Sequence, residues 1–207
     1  MLFSTFAAGF LASAGLIIAI GSQNAFVLRQ GLMQRHVPHV IAACALGDIV
    51  LILFGVAGIG ALVTKWPSLM EIMRYGGAAF LTVYGLMAAK RAWQGKGNAM
   101  DTDNADKQTV KRVLLTCLAL TFLNPHAYLD TLILLGSLST QYPDVGRWVF
   151  AAGACLASIS WFMALGFGSR YLQPLFRSAK AWRVLDAFVA VFMLSLAFLL
   201  LSKPLAV

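Results

Sequence analysis

Asn124-Pro125-His126-Ala127-Tyr128 interrupts a hydrophobic stretch that runs from residue 113 to 138. Proline removes an amide donor and disrupts the helical turn before it. A counterpart, Gly21-Ser22-Gln23-Asn24-Ala25-Phe26, interrupts the stretch 3–28. Lipid cannot hydrogen-bond a backbone, so a helix broken at membrane depth survives only where protein or a water-filled cavity satisfies it. Paired breaks in two halves of a chain are the sequence mark of a transporter's substrate site.

Composition places the breaks in a membrane. The 207 residues are 60% hydrophobic and 12% charged, with a mean hydropathy of +0.79. Soluble domains are near half apolar and a quarter charged. A helix needs about 20 apolar residues to cross the hydrocarbon. Six stretches qualify: 3–28, 37–63, 69–89, 113–138, 148–168 and 184–201. The expected fold is an all-α polytopic membrane protein in which helices one and four are broken near the membrane interior. Met1-Leu2-Phe3 has no basic n-region, so the first stretch reads as a transmembrane helix rather than a cleaved signal peptide.

The one long connection, from Trp93 to Lys111, holds Gly95, Gly97 and a mixed-charge run. It reads as a linker within a single membrane domain, 1–207, between a first repeat (1–92) and a second (112–207). Three helices per half is odd, so the second half enters the membrane in the opposite sense. This is an inverted three-plus-three repeat. The net charge of +8 belongs to membrane topology and not to nucleic-acid binding. Twelve Lys and Arg fall on the side of the linker and four (Lys65, Arg74, Arg147, Lys203) on the other. The linker side is therefore expected to be cytoplasmic and both termini outside.

Of eight acidic residues, Asp48 and Asp130 lie well inside hydrophobic stretches. A charge there costs about 3 kcal/mol on insertion scales and marks a functional site by default. No Lys or Arg lies equally deep in the pattern. Each Asp either holds a cationic substrate or cycles a proton; the structural alternative is a hydrogen bond to Asn24, His126 or a freed amide. Gly21 and Ser22 loosen the first break, and Gln23 and Asn24 offer amides there. Asn124 and His126 either serve the carbonyl that Pro125 frees near Thr121 or face a ligand. His126 is also a candidate proton shuttle. Ser158, Ser160 and Trp161 are either packing residues or part of the same cavity. Tyr75, Tyr84, Tyr142, Trp66, Trp148 and Trp182 read mainly as interfacial aromatics. Gly9-x-x-x-Ser13 permits close helix contact, including a homodimer. Cys44, Cys117 and Cys155 form no metal-ligand spacing, and no Walker-type phosphate loop occurs. No cofactor is expected.

At these residues the chain resembles the lysine exporter family of bacterial amino-acid efflux proteins, and most closely its arginine/lysine exporter branch. The resemblance lies in Gly21-Ser22-Gln23-Asn24-Ala25-Phe26-Val27, Gly47-Asp48-x-x-Leu51 and Leu123-Asn124-Pro125-His126-Ala127-Tyr128-Leu129-Asp130-Thr131. It covers essentially the whole chain. It implies an inner-membrane exporter of basic amino acids, driven by the proton-motive force, with Gln23, Asn24, Asp48, Asn124, Pro125, His126 and Asp130 at its site. Family members usually carry proline where Ser22 stands, so the first break is expected to be softer than the second. The alternatives are an exporter of neutral amino acids of the homoserine or threonine type and a membrane thiol-disulfide carrier. Two intramembrane acids weigh against the first. The second needs paired, reachable cysteines.

Overall fold

The computed structural model describes residues 2–18, 21–58, 67–94, 109–124, 127–142 and 144–202. Its described elements are α1 (Leu2–Ile17), α2 (Ser22–Leu32), α3 (Val37–Val56), α4 (Pro67–Gln94), α5 (Val110–Phe122), α6 (Tyr128–Ser139), α7 (Val145–Gly168) and α8 (Ala179–Ser202). A 3-10 segment, Ser169–Arg177, joins α7 to α8. No strand occurs among the described residues. Residues 95–108 of the expected linker lie outside them, as do Trp66, Pro125 and His126.

The six expected spans are not six continuous helices. Val37–Val56, Val145–Phe176 and Ala179–Ser202 are each long and apolar enough to cross a membrane. The stretch read as one first span is two helices, α1 and α2, bent by 82°. The stretch read as the fourth span is likewise two pieces, α5 and α6, of which α6 is an apolar helix too short to span alone. In both cases a helix that loses its backbone ladder can turn only where other groups replace the lost bonds. α4 has the length, 28 residues, but carries Glu71 and Arg74 towards one end and Lys90 and Arg91 at the other.

Packing follows helical spacing. α8 buries Leu185, Val189, Met193, Ala197 and Leu200 on one face, mostly against α4, and leaves Val184, Val191 and Phe198 exposed on another. Apolar side chains left outside a bundle are what lipid solvates, so this exterior matches a membrane. α4 and α8 run antiparallel: Arg74 donates to the carbonyls of Leu200 (2.5 Å) and Leu201 (2.7 Å) near one end, and Arg91 meets Asp186 near the other. A cation at the last carbonyls of α8 also offsets that helix's negative end.

Two contacts depend on glycine. α1 and α7 approach so closely that a Cβ on Gly9 would strike the Phe150 carbonyl, and one on Gly153 would strike the Phe6 carbonyl. Ser13 is fully buried in the same helix. The Gly9-x-x-x-Ser13 face is thus turned into the chain's own bundle, not outward to a second copy. α3 and α6 meet likewise at Gly55 and Gly136, where a Cβ on Gly55 would lie 2.6 Å from the Thr131 carbonyl. Small residues let backbones reach this distance, and it holds α6 against α3.

Candidate functional site

The first break lies one step earlier than the residue pattern suggests. Gly21 is extended (φ −111°, ψ 170°) and α2 begins at Ser22. Gln23 and Asn24 therefore occupy the first turn of a helix instead of an irregular loop. Position 22 is the first helical position, where the backbone amide needs no intrahelical partner, so the helix resumes directly after glycine. Asn24 then reaches back: its Nδ2 donates to the carbonyl of Ile17, the last residue of α1, at 2.7 Å. That carbonyl is one of those a helix end leaves without an intrahelical partner. The Asn24 Oδ1 accepts from the Trp161 indole at 3.2 Å.

The second break repeats this device with a different side chain. α5 ends at Phe122, and the Tyr128 hydroxyl donates to the Phe122 carbonyl at 3.0 Å. The tyrosine hydroxyl thus serves the carbonyl next to that of Thr121. The Asn124 carbonyl accepts from the Ala127 amide at 3.0 Å. Beyond the break the backbone is π-helical from Tyr128 to Leu135, with Asp130 in its first turn. π-Helical turns are rare and recur at functional sites.

Both breaks open on one cavity of about 260 Å³. Gly21, Ser22, Gln23 and Asn24 line it from α2 and its cap, Asp48 from α3, Asn124 from the end of α5, and Ala127, Asp130 and Thr131 from the second break and α6. Leu16, Ile17, Phe162, Phe192 and Leu196 supply apolar walls. Seven of the expected site residues thus meet: Gly21, Ser22, Gln23, Asn24, Asp48, Asn124 and Asp130. Ser158 of α7 donates to Asp48 Oδ2 at 2.9 Å, and the Gln23 amide stands beside the same carboxylate. Pro125 and His126 lie outside the described residues.

Two kinds of electrostatic surface line this space. Asp48 and Asp130 present carboxylates. The first turn of α2 presents N–H groups that have no partner within the helix and carries the positive end of its dipole. No Lys or Arg is among the lining residues. Among the described residues no group of three His, Cys, Asp or Glu is arranged to hold a metal.

The reading of residue types found the carboxylates and amides but was less decisive about their supports. Ser158 and Trp161 are three apart on one face of α7, and both bond to the site; Ser160, also considered, is exposed. The residue pattern also ranked Asp186 with the peripheral acids. It is 1% exposed and shared by Arg29 and Arg91, so partly buried bases do exist, outside the cavity. The signal was its place only two residues inside a hydrophobic stretch. Two of the expected interfacial aromatics are core residues instead: Trp182 packs edge-on to Phe176 at 5.6 Å, and Tyr84 packs against Phe26 and Phe80. Cys44 and Cys117 are fully buried, out of reach of the exchange that a thiol carrier performs.

Comparisons with known proteins give the chain's family. A family model described as "LysE type translocator" matches residues 14–204. A protein of Mycobacterium tuberculosis named "Putative amino-acid transporter Rv0488" is 46% identical over 186 residues, covering 90% of this chain and 91% of the relative. The Mycobacterium bovis protein "Putative amino-acid transporter Mb0498" matches equally. "Putative amino-acid transporter YggA" of Aeromonas salmonicida is 42% identical over 206 residues, 99% of this chain and 98% of the relative. No solved structure matches the chain. The chain belongs to the LysE type translocator family and is a transporter, not an enzyme.

Proposed function

We propose that this protein is a secondary active exporter of basic amino acids, L-arginine or L-lysine or both, moving them outward across the bacterial inner membrane in exchange for protons. The observation that carries the reading is that Asp48 and Asp130 share one cavity with the N-terminal turn of α2. A cationic amino acid matches that division of charge. Its carboxylate meets the helix end and the Gln23, Asn24 and Asn124 amides, and its positive side chain meets the two Asp. The cavity, about 260 Å³, is near the lower end of the roughly 300–1,000 Å³ usual for small-molecule sites, as suits an amino acid. The relatives' names, which say amino-acid transporter, support the substrate class.

Proton exchange has an energetic rationale. Moving one positive charge outward against about 100 mV costs roughly 2.3 kcal/mol, and one incoming proton cancels that electrical term. Asp48 and Asp130 can give up a proton to take a cation and recover it on release. His126 stands in the motif as a further candidate for that transfer.

The proposed architecture is the inverted three-plus-three repeat of six membrane passages, 1–92 and 112–207, with α1–α2 and α5–α6 as its two broken passages. The matching carbonyl contacts, Asn24 to Ile17 and Tyr128 to Phe122, support that pairing. Arg29 and Arg91 meet at one carboxylate, which supports their assignment to one membrane side by charge count. We assign that side, with the linker, to the cytoplasm and both termini to the outside.

Cells loaded with a lysine- or arginine-containing dipeptide test the function directly. Efflux of the freed amino acid should depend on the protein and fall when the proton gradient is collapsed. Absence of protein-dependent efflux of both amino acids, with efflux of homoserine or threonine instead, would replace this reading by the neutral one. Efflux unchanged by collapse of the gradient would remove the proton coupling.

A further inference from the structure

Asp186, near the start of α8, lies between Arg29 of α2 (Nε to Oδ1, 3.4 Å) and Arg91 of α4 (Nε to Oδ1, 3.1 Å). Both arginines address the same carboxylate oxygen. Here two cations share one anion, and their hydrogen-bonding capacity is not filled. Arg29 Nε and Arg91 Nη2 are buried with no hydrogen-bond acceptor. The Tyr84 ring completes the cluster, 6.0 Å from the Arg91 guanidinium and edge-on to Phe26 of α2 at 6.1 Å.

Each unbonded donor in a buried polar network costs free energy, so this contact is held less firmly than a fully bonded one would be. Its position gives that contact a consequence. α2 reaches the cavity at Ser22–Asn24, and Arg29 lies five residues further along the same helix, about 7.5 Å at 1.5 Å per residue. α8 reaches the cavity at Phe192 and Leu196, and Asp186 lies six residues before Phe192, about 9 Å along the axis. Each helix therefore lines the cavity at one point and enters the charge cluster at another.

We propose that Arg29, Asp186 and Arg91 form a latch that closes the cavity on the membrane face to which the C-terminal ends of α2 and α4 run, and that the latch breaks when the cavity opens to that face. The proposal rests on the transporter reading, since only a transporter needs its site exposed to each face in turn.

Accessibility of a cysteine in the cavity tests it. Thr131→Cys places a thiol on the cavity wall, and an impermeant maleimide is applied to either face of oriented vesicles, with the parent protein as background. Asp186→Asn should speed labelling from the latch face about tenfold, the effect of shifting a two-state equilibrium by one partner of a buried pair. Labelling from the opposite face should stay level or fall, and Asp186→Glu should restore the original rates. An unchanged rate from the latch face, or an equal rise from both faces, overturns the latch. If Asp186→Asn fails to accumulate in the membrane, Arg91→Gln, which alters the most exposed member of the cluster, carries the same expected and overturning outcomes. Labelling reads access whatever the substrate is. A negative result therefore sinks the latch alone, whereas absent efflux sinks the exporter reading.

Discussion

Asp48 of α3 and Asp130 of α6 line one cavity, although they are carried by different halves of the chain. Two carboxylates with no Lys or Arg among the described lining residues make a site that prefers a cation. Asp48→Asn and Asp130→Asn should each lower export of basic amino acids about tenfold or more. This is the scale of losing one hydrogen bond to a charged group, about 1.5–3 kcal/mol. Membrane levels should be unchanged. Normal export by both variants would show that the cavity is not the cation site.

Ser158 supports Asp48 through a 2.9 Å hydrogen bond. Ser158→Ala should reduce export less than Asp48→Asn does, and lower stability by about 1 kcal/mol. Ser158→Thr, which keeps a hydroxyl, should retain more activity than the alanine variant. Initial efflux rates of the three variants, normalised to protein in the membrane, decide the order.

Tyr128→Phe removes one hydroxyl and leaves the Phe122 carbonyl without that donor. An unpaired buried acceptor costs about 1–3 kcal/mol, and the melting temperature in detergent should fall accordingly. Asn24→Ala should behave similarly at the first break, and more severely, because it loses both the Ile17 and the Trp161 contact. Equal melting temperatures for Tyr128→Phe and the parent would mean that water or another group serves Phe122 equally well.

Gly55 holds α3 against α6 at a distance that admits no side chain. Gly55→Ala should cost about 1–3 kcal/mol and impair export, since the displaced backbone is that of Thr131, next to Asp130. Gly15, with open space around it, is the control: Gly15→Ala should leave export unchanged and keep or slightly raise thermal stability, since alanine is the better helix former. Thermal unfolding and efflux, measured together, separate the two positions.

The membrane class, both breaks and the pair of acids were legible in the residues because each is a local violation of an apolar pattern. A proline, a run of amides or an aspartate among leucines costs free energy wherever the helix packs, so its presence alone is informative. The partners were not legible. Tyr128 and Asn24 were quoted within their motifs, yet nothing in the order of residues shows that each reaches back to the last carbonyl of the helix before it. Ser158 and Trp161 sit in a helix that is apolar on most sides, where periodicity barely distinguishes the packed face from the lipid face.

Asp186 shows the same limit from the other direction. Read along the chain, it is an acid near a helix start, close to Arg183. In the folded chain its neighbours are Arg29 and Arg91, from 157 and 95 residues away in sequence. By itself the sequence determined that this protein lives in a membrane, where its helices break and which side chains are too costly there to be accidental. Only the tertiary structure decided which of them share a cavity and which base meets which acid. Coulombic and hydrogen-bonding partners act over a few ångströms in space, and helix packing brings residues that close regardless of their separation along the chain.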